Sequence, residues 1–219
     1  MFMKKEFLIF VCSLAFLTST NAQVTRELFL LKGFSQGIIL NKDGSKAAAE
    51  MNYDAKGRNM LFLEGEDLML LTNTNAIDTI FIGSRKFIPE KNYFLEVVGI
   101  PNGTVYVDWR FNSIQIGKKG AYGITTQGTV ETVNVHSYRA GGKFEWDEST
   151  AVTKFKVENE YRVKNTAGKI LKFKNKKDLL KQFANHKEAI EQYLAQNSVD
   201  WENPEMVVDL ADFCLGLLK

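Results

Sequence analysis

The chain is poor in the residues that stiffen, staple or coordinate: its 219 residues include 3 prolines, 2 cysteines and 2 histidines. So few prolines exclude a polyproline or collagen-like rod. With no His-x-x-x-His, Cys-x-x-Cys or Asp-x-Asp-x-Asp-Gly run, the spaced ligand sets of zinc and calcium motifs are missing, and no metal is expected. A glycine-rich phosphate loop is missing too, because Gly141-Gly142 reads as a turn, so no nucleotide or other cofactor is expected. The 28 Lys and Arg nearly cancel the 26 Asp and Glu, and a net charge of +2 is too small to steer the chain onto nucleic acid. Beyond Gln23 no apolar run approaches the roughly twenty residues that cross a bilayer as a helix, so no transmembrane segment is expected in the mature chain.

What the chain does have begins with an address. Lys4 and Lys5 precede an apolar stretch from Phe7 to Leu17, and Thr20 and Ala22 occupy the −3 and −1 positions of a cleavage point before Gln23. That is the layout of a secretory signal peptide over residues 1–22, and it predicts an exported protein, periplasmic or extracellular. Phe10 and Val11 are too bulky for an acylated Cys12, which therefore leaves with the leader. Cys214 is then the one remaining thiol, with no internal disulfide to form. It lies in an apolar helical stripe, where a thiol packs as a small hydrophobe.

At 45% hydrophobic residues the chain can fill a core, and its pattern changes period once. Residues 23–175 read as short alternating runs separated by turn chemistry, the mark of an antiparallel β domain. Asn41-Lys42-Asp43-Gly44 links Gly37–Leu40 to Lys46–Tyr53, and Gly83-Ser84 links Ile77–Ile82 to Arg85–Ile88. Pro101-Asn102-Gly103 links Tyr93–Ile100 to Thr104–Phe111, where Val105, Val107, Trp109 and Phe111 share one face and Tyr106, Asp108 and Arg110 the wetter other. Further strands are expected at Arg58–Leu63, Asp67–Leu71, Ser113–Ile116, Thr129–Ser137 and Thr153–Lys164, the last pairing with Lys169–Phe173.

Residues 176–219 read as a helical appendage of three helices. Asn175 with Asp178, and Asn185 with Glu188, place an N-cap oxygen three residues before a carboxylate; Asn203-Pro204 is the third start. The predicted fold is mainly β with C-terminal helices (α+β), an antiparallel, hairpin-rich sheet system built as a sandwich or open barrel with a three-helix tail.

Candidate chemistry is sparse. Gly33-Phe34-Ser35-Gln36-Gly37 matches the nucleophile pattern of hydrolases, but Ile38-Ile39-Leu40 continues as a strand where a nucleophile elbow needs a helix. Glu96 and Asp108 stand on two arms of one hairpin and pair as acid and base if the register brings them to one face; otherwise they are solvated surface residues. His136 lacks an identifiable partner, and Trp146 shares strand parity with Phe144, which favours joint burial over a sugar-binding face. Lys169, Lys172, Lys174, Lys176, Lys177 and Lys181 form a basic segment, read first as a solvated strand face and helix and second as a surface anchor. No side chain is assigned as catalytic, cofactor-binding or metal-ligating.

Tyr53-Asp54, the run Ile80-Phe81-Ile82-Gly83-Ser84-Arg85-Lys86-Phe87, Thr104-Val105-Tyr106-Val107, Asp178-Leu179-Leu180 through Tyr193, and Pro204 through Phe213 occur in an order that resembles uncharacterised secreted β-rich proteins of Bacteroidetes-type bacteria. The resemblance spans most of the mature chain and implies export, with no activity, cofactor or site residue attached to it. The resulting expectation is an exported, noncatalytic cell-envelope protein that binds a protein or polymer partner. The alternatives are an extracellular polymer hydrolase using the paired carboxylates and a surface-anchoring protein using the basic segment.

Overall fold

The computed structural model describes residues 29–119, 125–126, 136–138, 144–146 and 151–218, with side chains at 29–112 and 156–218. The expected leader and most of the expected Thr129–Ser137 strand lie outside the described residues.

Ten strands make one antiparallel sheet: β1 (Ser35–Asn41), β2 (Lys46–Asp54), β3 (Asn59–Glu64), β4 (Asp67–Leu70), β5 (Ile77–Ile82), β6 (Arg85–Glu90), β7 (Tyr93–Ile100), β8 (Gly103–Asp108), β14 (Glu160–Asn165) and β15 (Ile170–Phe173). Their order across the sheet is β15-β14-β8-β7-β6-β5-β1-β2-β3-β4. Two four-strand meanders therefore meet at β1 and β5, and a final hairpin extends one side. Between β8 and β14 the chain leaves this sheet: β9 (Phe111–Lys119) pairs with β10 (Thr125–Thr126) and β13 (Ala151–Val157), and β11 (His136–Tyr138) pairs with β12 (Phe144–Trp146).

The expected turns form where their chemistry demands. Asp43 accepts hydrogen bonds from the amide and hydroxyl of Ser45 at 2.9 and 2.7 Å, closing the first hairpin. Gly83 takes a φ of 57° between β5 and β6, a conformation most side chains resist.

Two expected strands are corrected. Thr104–Phe111 ends at Asp108, and Phe111 opens β9, which takes in the expected Ser113–Ile116. Thr153–Lys164 is two strands, because Val157 still pairs with Phe111 of β9 while Glu160 pairs with Asp108 of β8. The partner strand breaks at the same level, between Asp108 and Phe111, so the small sheet peels away there. Asn159 bridges the gap: its side-chain oxygen accepts from the Arg110 amide at 3.0 Å, and the Glu158 amide donates to the Arg110 carbonyl at 2.8 Å.

The inner face holds the core. Met51, Tyr53, Met60, Ile80, Phe87, Phe94, Val105, Val107, Tyr161 and Val163 are all buried in one cluster. Tyr53 Oη donates to the Phe94 carbonyl at 3.2 Å, although β2 and β7 stand four places apart in the sheet. Flat strands that far apart would be separated by roughly 19 Å, so the sheet is strongly curled. It does not close into a barrel.

Three helices follow: α1 (Lys176–Gln182), α2 (Lys187–Asn197) and α3 (Pro204–Gly216). Leu179, Ile190, Val207, Leu210, Ala211, Cys214 and Leu215 enter the same core as the strands. Asn175 caps α1 through the Asp178 amide at 2.9 Å, and Asn203 caps α3 through the Glu205 amide at 3.0 Å, with Pro204 in the first turn. The expected Asn185 cap does not form. Asn185 lies inside a short 3-10 turn, Ala184–His186, and α2 starts at Lys187 without a side-chain cap.

Candidate functional site

The β7–β8 register decides the first candidate. Glu96 lies opposite Val107, and Val97 lies opposite Tyr106, so Glu96 shares the inner face with Val107 while Asp108 shares the outer face with Tyr106. The two carboxylates stand on opposite sides of the sheet and form no acid–base pair. Neither is a solvated surface residue either: both are buried, each against arginine.

Asp108, at 0% exposure, is the hub of the outer-face cluster. Arg58 reaches it from the β2–β3 turn with Nε on Oδ1 at 3.0 Å and Nη2 on Oδ2 at 2.7 Å, the forked geometry that suits guanidinium and carboxylate. Arg110 adds Nε and Nη2 on Oδ2 at 3.1 and 2.6 Å, and its Nη2 lies 3.2 Å from Glu160. Arg162 continues the chain, donating to Glu90 at 3.0 Å and to Tyr93 Oη at 2.7 Å. The Arg58 guanidinium sits 3.5 Å over the centre of the Tyr93 ring. Three arginines thus balance three carboxylates, and the charged groups of β2–β3, β6, β8 and β14 lock one another.

The inner-face centre is smaller. Trp109 Nε1 donates to Glu96 Oε2 at 2.7 Å, and Arg85 Nη1 contacts both carboxylate oxygens at 3.2 and 3.0 Å. Burial pushes Glu96 above the ordinary carboxylate range, against the Arg85 charge and the hydrogen bonds from Trp109 and Arg85. A general acid must exchange its proton with a reacting group. Glu96 instead has its carboxyl oxygens taken up by a tryptophan N–H and an arginine of the scaffold itself.

The remaining candidates scatter. Ser35 opens β1 and is exposed, with a strand and no helix after it. His136 is the register partner of Trp146 in the β11–β12 ladder, and the expected joint burial of Phe144 and Trp146 lies outside the described side chains. Cys214 is buried on α3, where burial pushes its thiol up to about 12, out of the nucleophilic range. The six lysines from Lys169 to Lys181 are exposed, and β15 is an edge strand whose Leu171 and Phe173 are buried while Lys172 and Lys174 are not. Among the described residues, no cluster of three His, Cys, Asp or Glu side chains is placed to hold a metal ion.

Sequence reasoning passed over the arginines. Glu160 and Arg162 are two residues apart on β14 and so share a face, and Asp108 and Arg110 have the same spacing across the end of β8, a spacing that signals local ion pairing. Arg58 and Tyr93 carry no such mark. The outer face also shows a patch that the strand pattern left unremarked: Ile38 and Phe81, directly opposite in the β1–β5 ladder, are 49% and 39% exposed, beside exposed Ala48 and Lys86. Comparison with protein-family models, with curated proteins and with solved structures finds no match to this chain, so no role is carried over from a relative.

Proposed function

We propose that this chain is an exported, noncatalytic binding protein of the bacterial cell envelope, engaging a protein or polymer partner through the outer face of its sheet. The observation that carries this reading is the Ile38–Phe81 pair: two large apolar side chains left side by side in water on the outer face of the sheet. Exposed apolar clusters of this kind are costly unless something covers them. The carboxylates support the same reading, since Asp108 and Glu96 are each engaged by arginine within the scaffold and stand on opposite faces of the sheet, so they form no acid–base pair. Export is supported by the Lys4-Lys5 start, the Phe7–Leu17 stretch and the small residue at Ala22.

Affinity capture from envelope extract tests the reading with the wild-type chain and an Ile38→Ser/Phe81→Ser variant of unchanged unfolding midpoint. The wild type is expected to enrich one partner that the variant loses. Equal capture by both, or by neither, overturns it. Turnover of an envelope polymer by the wild type and not by Glu96→Gln would replace it with an enzyme.

A further inference from the structure

Positive charge is segregated in this chain. Between Glu160 and Lys181 there are eight cations against two acids, so this segment alone carries +6 of a whole-chain +2, and the rest of the protein is net negative. The segment is continuous in space: β14, the edge strand β15 and α1 follow one another, with Lys164 and Lys172 on the outer face and Lys176, Lys177 and Lys181 exposed on the helix. Glu160 is taken up by Arg110, and Arg162 by Glu90, whereas none of the lysines from Lys164 to Lys181 has a carboxylate within 4 Å among the described residues, Lys174 acting on Glu158 only from farther off. In their midst stands Ile170, directly opposite Lys164 and 53% exposed, the most exposed of the large hydrophobic side chains described.

We infer that this end of the molecule docks on an anionic lipid bilayer surface, with Ile170 entering the interface and the lysines around it meeting acidic headgroups. Edge protection accounts for Lys172 and Lys174, because a lysine on a free edge deters a second strand. It does not account for three lysines on the adjoining helix, nor for an aliphatic residue left open at the edge it would protect. A soluble polyanion would pair with the lysines but gain nothing from Ile170. A bilayer rewards both, since its interface takes up apolar side chains while its acidic headgroups attract each nearby lysine. No helix of the described residues is long and apolar enough to cross a membrane. This surface is separate from the Ile38–Phe81 patch, and the two proposals fail independently.

Co-sedimentation with phosphatidylcholine vesicles, with and without phosphatidylglycerol, tests the inference, using the same N-terminus in every variant so that any leader contribution cancels. Binding is expected only to the anionic vesicles and to weaken as salt rises. A Lys172→Gln/Lys174→Gln/Lys176→Gln variant should bind on the order of 100-fold more weakly, at about fivefold per lysine. Ile170→Ser should lower affinity several-fold with its salt dependence unchanged, and Ile38→Ser/Phe81→Ser should match the wild type. All variants are first shown to keep the wild-type unfolding midpoint. Equal binding to both vesicle types, or a triple variant as tight as the wild type, overturns the inference. So does binding of soluble polyphosphate that equals vesicle binding and ignores Ile170→Ser, which would make the ligand a polymer.

Discussion

Asp108 concentrates the electrostatics of the outer face, because a fully buried carboxylate carries two arginines that are themselves only partly exposed. Removing its charge leaves Arg58 facing a neutral amide and Arg110 with Glu160 as its remaining carboxylate. Asp108→Asn is expected to lower unfolding free energy by about 3 kcal/mol, measured by urea denaturation, because deleting one partner of a buried pair leaves the other uncompensated. Glu96 behaves in the opposite sense. Its carboxyl is raised by burial, so between its unfolded and folded values the native chain binds more protons than the unfolded one. Its contribution is therefore fully present below the unfolded value and is lost as pH rises through the folded one. Glu96→Gln does not ionise and keeps an oxygen for Trp109. Its stability relative to wild type should climb as pH rises through that window and level off above, read from urea midpoints between about pH 4 and pH 8. Alternation along β8 was enough to send Val105, Val107 and Trp109 inward. It could not reveal that Asp108 is buried, since its cover comes from Arg58, 50 positions earlier in the chain.

At the scale of elements, local chemistry was legible wherever a few neighbouring residues decide the outcome. The Asp43 turn, the Gly83 turn and the Asn175 and Asn203 caps all use groups within four residues of one another. The Asn185 start has the same appearance in sequence, but Phe183 stays buried in the core and the chain makes a 3-10 turn before α2. The two sites separate in one experiment. Asn175→Ala should cost about 1 kcal/mol by thermal or urea unfolding, the usual worth of an N-cap. Asn185→Ala should lie within about 0.5 kcal/mol of wild type, as an exposed substitution without a cap to lose. The division of Thr153–Lys164 was illegible for a different reason: the spacing of Phe155, Val157, Tyr161 and Val163 keeps its parity across the single polar Asn159, and only the change of partner strand ends one element and begins the next.

For the whole molecule, the helices and the curled sheet share one core, and Cys214 reports on it. The thiol is buried on α3 beside Leu210, Ala211 and Leu215, with burial pushing it up to about 12. In a Cys12→Ser background its alkylation in urea is expected to follow the loss of circular dichroism with a single midpoint. Labelling well before that midpoint would mean that α3 detaches as a separate unit. Gly103 shows how tightly the parts meet: a Cβ added there would run into the Lys164 carbonyl oxygen and lie 3.0 Å from Leu215, so β8, β14 and α3 close on a space that only glycine leaves open.

By itself the amino-acid order determined the antiparallel β body, most of its hairpins and the helical tail, because period, turn residues and caps act over a few positions. Tertiary structure alone decided the curl that joins β2 to β7, the arginines that lock Glu96 and Asp108, and the faces left open at Ile38–Phe81 and around Ile170. Those depend on register and on partners distant in the chain. A shift of one residue would have moved Glu96 and Asp108 each to the other side of its strand.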